Sequence, residues 1–489
     1  MLLSELIKEL DYEILKGNAD VDITEVFYDS RKAVKGGLYV AISGSVVDGH
    51  SFIDQVIESG AAAVLVEKNI EVSGDVTVIK VADTRLGLAC VSAAYFGHPA
   101  SKLKTIGITG TKGKTTTTYM VKSILENAGI KTGLIGTIET IIGDKHIPAS
   151  NTTPESYVVQ QSFKEMVDEG IECVVMEVSS QGLMLNRVAG FTFDYGIFTN
   201  LSPDHIGPNE HKDFEDYLSC KAKLFKQCKV GIFNGDSKYY DAITNDATCE
   251  ILTFGEGEGH DFNATEVSLT NNEGVLGVAY KLSGKLTGEV DVPVPGDFSV
   301  YNSLTAIAIC DCFNVAFDKI KEALLNVSVK GRVELVNVSP RFSVMIDYAH
   351  NAMSLESLLT SLRRYNPKRL VCLFGCGGNR SRDRRFEMGE ISSKYADLTI
   401  VTSDNPRNEE PSAIIEDILV GVKKCDGEYI TIPDRKDAIR YAIENALDGD
   451  VIILAGKGHE DYQEINGVKH HMDEREIVAD IKKDGNYIK

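Results

Sequence analysis

At 489 residues the chain has room for about three domains of roughly 150 residues each. Its 43% hydrophobic and 25% charged residues describe an ordinary globular protein, and a net charge of −21 argues against nonspecific binding to nucleic acid or an anionic membrane. The start, Met1-Leu2-Leu3-Ser4-Glu5, lacks the basic region of a signal peptide, and no run of ~18 apolar residues offers a membrane span, so a cytoplasmic location without membrane insertion is expected.

Residues 1–99 read as a small α/β unit. Gly37 to Ile42 and Ala62 to Val66 have strand character, and Phe52 to Ser59 and Arg85 to Phe96 have helical spacing. His98-Pro99-Ala100-Ser101 reads as a linker. Lys104 to Ile108 then alternates as a strand, and Thr117 to Asn127 places Met120, Val121, Ile124 and Leu125 at helical spacing. Between them lies Gly107-Ile108-Thr109-Gly110-Thr111-Lys112-Gly113-Lys114-Thr115-Thr116. Strand, glycine loop and Gly-Lys-Thr at a helix start is the setting of a phosphate-binding loop. Backbone N–H groups converge on phosphate oxygens there, and the helix N-terminus adds a favourable field. Lys114 reaches the outer phosphates in this reading, and the Thr115 hydroxyl binds Mg²⁺. Ile108 stands where the strict eight-residue pattern has glycine, so the loop is a variant.

Further strands are expected at Glu172 to Val178 and Tyr195 to Thr199, with helices at Pro154 to Glu169 and Phe214 to Gln227. This alternation predicts a mostly parallel, doubly wound sheet with ligands at the carboxyl ends of its strands. The Gly-, Asn- and Thr-rich stretch Gly255 to Gly288 predicts an antiparallel excursion, and Tyr301 to Asp311 a helix. From residue 333 the alternation resumes. Ser343 to Ile346, Arg369 to Phe374, Leu398 to Thr402 and Val451 to Leu454 read as strands. Ser354 to Arg363, Phe386 to Tyr395, Ala413 to Val422 and Lys436 to Ala446 read as helices. The division is thus 1–99, 100–332 and 333–489: a small N-terminal α/β domain, a central phosphate-loop domain and a C-terminal Rossmann-like α/β domain. Such lobes suggest a cleft enzyme that closes on its substrates. The ten cysteines include no Cys-x-x-Cys pair and read as reduced thiols.

Polar clusters fall where strands should end. Glu177 in Met176-Glu177-Val178-Ser179-Ser180 is either an oxygen ligand for Mg²⁺ or a helix-capping or surface carboxylate. His205, in Asn200-Leu201-Ser202-Pro203-Asp204-His205, is either a metal ligand or a structural histidine. Lys221 and Lys223 lie on the next predicted helix, ordinarily a solvated face. The C-terminal region offers Asp347-Tyr348-Ala349-His350, Gly375-Cys376-Gly377-Gly378-Asn379-Arg380, Asp404-Asn405-Pro406-Arg407 and Gly456-Lys457-Gly458-His459-Glu460, each after a predicted strand. Four such ends at one sheet edge read as a built binding surface.

With Asp29-Ser30-Arg31, Asn151-Thr152-Thr153 and Gly331-Arg332-Val333-Glu334, these motifs run in one order over essentially the whole chain. In that order they resemble the Mur ligases, ATP-dependent amide-forming enzymes of peptidoglycan synthesis. The resemblance implies ATP as co-substrate, Mg²⁺ as cofactor, and a monomer acting on a UDP-N-acetylmuramoyl dipeptide and meso-diaminopimelate. It places Ser30, Ser45, Val46, Val47, Asn151, Thr152, Thr153, Ser179, Leu185 and Arg187 on the UDP substrate. Gly110, Thr111, Lys112, Gly113, Lys114, Thr115 and Thr116 would hold the ATP phosphates, with Asn302 at adenine, Arg332 near the phosphates and Asp347 at the ribose. Thr115, Glu177, His205 and Lys221, the last as a carbamate, would surround Mg²⁺. Lys114, Lys221, His205 and Asp347 would be the catalytic set. Arg380, Asp404, Asn405, Pro406, Arg407, Gly456 and Glu460 would form the amino-acid pocket, with Arg407 as the cation for the second carboxylate of diaminopimelate. The chain departs from the family pattern at Asn379, at Asn351-Ala352-Met353 and across Asp204 to His211. Alternatives are the same reaction with L-lysine or another diamino acid, a folylpolyglutamate-synthetase-like ligase, and a nucleotide switch that hydrolyses ATP without ligation.

Overall fold

The computed structural model describes residues 1–44, 47–207 and 210–485. They group into two compact units, Met1–Gly255 with Thr305–Ala316, and Glu256–Leu304 with Phe317–Lys489.

The first unit opens with strands β1 (Tyr12–Lys16), β2 (Val26–Phe27), β3 (Leu38–Val40), β4 (Ala63–Val66) and β5 (Thr77–Val81), in the order β1-β5-β4-β3-β2. Only β1 runs antiparallel to its neighbour. Strands β3 and β4 are buried along their whole length, which explains their unbroken apolar sequences. Strand β1 is a largely exposed edge and β2 has two residues, so neither carried a readable pattern. The expected linker is more ordered than its sequence suggested. Pro99–Lys102 forms a 3₁₀ turn, entered from His98 at φ 50°. Proline fixes φ at a value that suits a first helical position.

The larger sheet of this unit contains β6 (Lys104–Thr109), β7 (Thr132–Ile135), β8 (Glu139–Ile142), β9 (Lys145–Pro148), β10 (Cys173–Glu177), β11 (Phe193–Phe198), β12 (Cys228–Asn234) and β13 (Glu250–Glu256). Their order is β13-β12-β11-β6-β10-β7-β8-β9. All pairs from β13 to β7 are parallel, and β8 and β9 add an antiparallel tail. Strand β6 lies between β10 and β11, so the connections diverge to opposite sides at its carboxyl end. That is the switch point where open α/β sheets bind ligands. The helix expected over Phe214 to Gln227 is shorter, Phe214–Ala222, and tightens into a 3₁₀ turn at Lys223–Lys226. Only Gln227 separates that turn from β12, and tightening the last turn is a common way to end a helix abruptly.

In the second unit β14 (Phe262–Asn272), β15 (Val275–Gly284) and β16 (Gly288–Val292) form the expected antiparallel excursion. The helix Phe298–Cys312 begins in this unit, its residues from Thr305 on grouping with the first. Strands β17 (Glu334–Ser339), β18 (Phe342–Asp347), β19 (Arg369–Phe374), β20 (Leu398–Val401), β21 (Glu428–Thr431) and β22 (Asp450–Ala455) pair as β17-β18-β22-β19-β20-β21, parallel except at β17. A hairpin of β23 (Tyr462–Ile465) and β24 (Val468–His471) follows. Its turn is Asn466 at φ 50° and Gly467 at φ 77°, the positive pair that two-residue hairpins require. Among the described residues no helix is long and apolar enough to cross a membrane, and the ten cysteines are free.

Candidate active site

Strand β6 ends in the predicted phosphate loop, and the helix Lys114–Asn127 begins directly after it. Residues distant in sequence hold the loop's shape. The Thr111 N–H donates to the Asn200 carbonyl at 2.9 Å, and the Lys112 N–H donates to Asn200 Oδ1 at 2.9 Å. The Thr199 hydroxyl donates to the Lys112 carbonyl at 2.8 Å. Thr111 Oγ1 lies 3.0 Å from the Tyr217 hydroxyl and accepts the Ser202 N–H at 3.0 Å. A Cβ on Gly110, at φ 152°, would collide with Thr199 Oγ1, so only glycine lets the loop close against β11.

Two lysine amines meet this loop. Lys114 Nζ donates to the carbonyls of Gly110 at 2.8 Å and Thr111 at 3.1 Å. Lys221, 1% exposed, donates to the same Gly110 carbonyl at 2.9 Å and lies 4.5 Å from the Tyr217 ring centroid. Burial, reinforced by the charge of Lys114, pushes the Lys221 pKa well below the ordinary lysine value. Thr115 and Thr116 are buried in the first turn of the helix.

A cavity of about 330 Å³ is lined by Lys114 and His205 together with Asn151, Thr152, Thr153, Ser179 and Arg187. The phosphate-loop lysine and five residues expected at the UDP substrate therefore share one wall. Thr153 ties this wall to β10, its hydroxyl donating to the Glu177 carbonyl at 2.9 Å and accepting the Ser179 N–H at 2.9 Å. Arg187 donates to the Thr153 carbonyl at 3.1 Å and pairs with Glu155 at 2.9 Å. Ser30, Val47 and Leu185 are not among the lining residues. Ser45 and Val46 lie outside the described residues, as do Pro208 and Asn209 of the divergent segment.

Of the residues expected around Mg²⁺, Glu177 is buried and accepts the Thr137 N–H at 2.8 Å and the Thr137 hydroxyl at 3.0 Å. His205 is half exposed at φ 55°, with Nδ1 3.1 Å from Glu210 Oε1. The hydroxyl, carboxylate and imidazole suit a hard cation at a phosphate site. Lys221 suits one only if its amine becomes an anionic oxygen donor.

In the second unit the Arg332 guanidinium lies 5.1 Å from the Tyr348 ring centroid, and its Nε is buried without a hydrogen-bond partner among the described residues. Val333 beside it is at φ 46°, a costly conformation for a β-branched residue. Its N–H donates to Asp347 Oδ2 at 2.8 Å, and Ala349 N–H donates to Oδ1 at 2.8 Å. Burial pushes the Asp347 carboxyl pKa up, against the opposing pull of Arg332 and these two N–H groups. Asn302 is buried on its helix.

The expected amino-acid residues come together at the ends of β19, β20 and β22. Asn405 donates to Glu460 Oε2 at 2.8 Å and accepts from Lys457 Nζ at 2.9 Å and from the Glu464 N–H at 2.9 Å. Lys457 is fully buried and also donates to Glu460 at 3.0 Å. Arg407 Nε donates to Glu464 Oε2 at 3.2 Å, and Nη1 to the Gly378 carbonyl at 2.7 Å. A Cβ on Gly378 would collide with the Pro406 carbonyl, which accounts for a glycine there. Gly456, at φ 108°, faces the Asp404 carboxylate. Arg380 is exposed. Sequence reasoning missed Lys457 as the ion at the centre of this cluster, and Glu464 and Gln463 altogether. The Asn466-Gly467 hairpin signal could have located the last two. It also assigned no part to Thr199, Asn200 and Tyr217.

Three models of the Mur ligases match in succession: the Mur ligase family catalytic domain over residues 22–99, the Mur ligase middle domain over 108–310, and the Mur ligase glutamate ligase domain over 331–458. The UDP-N-acetylmuramoyl-L-alanyl-D-glutamate--2,6-diaminopimelate ligase of Clostridium perfringens (strain 13 / Type A) is 45% identical, covering 98% of this chain and 99% of its own. The enzyme of the same name from Caldanaerobacter subterraneus subsp. tengcongensis is 44% identical, covering 98% and 99%. A solved structure, also of a UDP-N-acetylmuramoyl-L-alanyl-D-glutamate--2,6-diaminopimelate ligase, superposes with a TM-score of 0.74 at 26% identity over 99% of each chain. On motifs, fold and full-length similarity, the chain belongs to the Mur ligase family.

Proposed function

We propose that this ligase joins meso-diaminopimelate to the carboxylate of UDP-N-acetylmuramoyl-L-alanyl-D-glutamate with consumption of ATP, in the cytoplasm and as a monomer. The carrying observation is the cavity in which Lys114 of the phosphate loop faces Asn151, Thr152, Thr153, Ser179 and Arg187. A phosphoryl donor on the loop and a carboxylate on that wall would occupy one space.

The chemistry follows from what a carboxylate lacks, a leaving group. One of its oxygens attacks the γ-phosphorus of ATP and ADP departs, leaving an acyl phosphate. The diaminopimelate amine attacks the acyl carbon, the carbon–oxygen bond to phosphate breaks, and the amine loses a proton. Loop N–H groups from Gly110 to Thr116 and the Lys114 ammonium bind and orient the phosphates. Arg332 would also approach the phosphates, with Asn302 at adenine and Asp347 at the ribose. Thr115, Glu177, His205 and Lys221 as a carbamate would hold Mg²⁺, which when bound offsets the repulsion between carboxylate and triphosphate. No protein nucleophile is required. In this reading residues 1–99 serve the UDP end, 100–332 the ATP and 333–489 the amino acid.

The relatives' names support diaminopimelate over L-lysine, and Arg407 offers a guanidinium to a second carboxylate. ATP consumption with UDP-N-acetylmuramoyl dipeptide and a panel of amino acids tests the reading. Phosphate release should require both the dipeptide and meso-diaminopimelate. Preference for L-lysine would overturn the amino-acid assignment, and release without either acceptor would favour the switch. Lys221→Ala should lose ligation while remaining folded, with partial rescue by small carboxylates. Wild-type activity in that variant would remove the carbamate.

A further inference from the structure

His211, Asp216 and Cys220 form a donor cluster that the ligation chemistry leaves unused. Asp216 and Cys220 are four residues apart on the helix Phe214–Ala222, so both side chains leave the same face. His211 precedes that helix and is fully buried, and Cys220 is 3% exposed. One nitrogen, sulfur or oxygen from each of the three lies within 4.8 Å of the others. His211 Nδ1 is 2.9 Å from Asp216 Oδ2, while His211 Nε2 is buried with no hydrogen-bond partner among the described residues. The nitrogen that faces Asp216 is Nδ1, and a metal shared by the two would enter between them in place of their hydrogen bond.

We propose that His211, Asp216 and Cys220 bind one zinc ion. Imidazole, carboxylate and thiolate are the donors zinc accepts, and the sulfur discriminates against magnesium. Tetrahedral bonds of ~2.0–2.3 Å put neighbouring donors roughly 3.3–3.8 Å apart, so a contraction within the observed spacing completes the geometry. Coordination replaces the S–H bond of Cys220 by a sulfur–zinc bond and releases the thiol proton to solvent. A fourth position remains for water. The role is structural. The His211 N–H donates to the His205 carbonyl at 3.0 Å, the His211 ring packs edge-on 5.2 Å from Tyr217, and Tyr217 reaches Thr111 of the phosphate loop. The ion would pin these contacts from below. Its donors share no residue with the Mg²⁺ set, so either assignment can fail without the other.

The test uses the full chain without a polyhistidine tag, equilibrated with Zn²⁺, freed of unbound ion and analysed for metal by mass spectrometry. About one zinc per chain should remain, excess Mg²⁺ should not displace it, and Cys220→Ser and Asp216→Asn should each lower it at least ~5-fold. Cys425→Ala, at a half-buried thiol of the second unit, should keep it. Co²⁺ in place of zinc should give a thiolate-to-metal charge-transfer band that Cys220→Ser abolishes. His211→Ala should also lose zinc, and if it does not fold the two helix variants decide. No retained zinc, retention unchanged in Cys220→Ser, or cobalt without the thiolate band would each overturn the proposal.

Discussion

At the phosphate loop the amines of Lys114 and Lys221 donate to backbone carbonyls, whereas Lys457 and Arg407 of the 404–464 cluster end on the carboxylates of Glu460 and Glu464. The first arrangement sets two lysine amines among backbone dipoles, with Lys114 on a cavity wall. The second cancels positive charge in place and leaves directional donors and acceptors. In the proposed reaction the difference would suit two kinds of guest. A triphosphate brings net negative charge and rewards converging N–H donors and cations, while a diamino dicarboxylic acid brings as many ammonium groups as carboxylates and rewards geometry. Neither region is built from one motif alone. Each combines a glycine-rich strand end with fixed partners far away in the chain.

The largest break in this contrast should come from Lys114→Ala. Losing a phosphate-clamping cation should reduce kcat ~10²–10³-fold with little change in thermal stability, measured by steady-state kinetics and calorimetry. Next is Arg407→Ala, which should raise the meso-diaminopimelate KM at least ~10-fold, equivalent to ~1.5–3 kcal/mol, and leave the ATP and UDP-substrate KM values nearly unchanged. Glu464→Gln sharpens the same point. It frees Arg407 from its pair, so a shift in the diaminopimelate KM alone would show that this pairing tunes the pocket, and a shift in the ATP KM would contradict the separation of roles.

A third effect concerns pH. The His459 and Tyr348 ring centroids lie 4.7 Å apart, and burial, with Arg332, Lys330 and Arg475, pulls the His459 pKa from 6.5 to about 4. The unfolded chain then binds a proton that the native state refuses. This contribution is complete above pH 6.5 and is lost as pH falls from 6.5 towards 4, by ~3 kcal/mol in all. Denaturant titrations at pH 7.5 and 5 should show a smaller loss of stability in His459→Gln than in the wild type. The smallest effect belongs to Tyr217→Phe, which removes the hydroxyl facing Thr111 and should cost ~0.5–1.5 kcal/mol of stability together with a modest rise in the ATP KM.

How much of this was readable beforehand depended on where the signal resided. The phosphate loop announced itself because glycine spacing, strand and helix lie within one short stretch. Several parallel strands of both units announced themselves because burial on two faces demands continuous apolar runs, as in β10 and β22, while the parallel strands β5, β7, β12 and β13 were not anticipated. Strands β1, β9, β21 and β24 lie at sheet or hairpin edges with largely exposed side chains and carried no such pattern. The partners of the loop, Thr199, Asn200 and Tyr217, were invisible for another reason. Their importance exists only after β11 pairs with β6, a long-range event without a local sequence trace. The pairing of Arg407 with Glu464 likewise depends on the β23–β24 hairpin folding back, so the cation was legible while its partner was not.

The burial of Lys457 has a consequence for ionic strength. Mobile ions screen charges they can surround, over a Debye length of ~8 Å at physiological salt. They do not enter the space between Lys457, fully buried, and its contacts on Asn405 and Glu460. Amino-acid affinity should therefore change little across a range of potassium chloride concentrations that visibly weakens nucleotide binding. The same enzyme would present one substrate end that senses the salinity of its surroundings and one that is insulated from it.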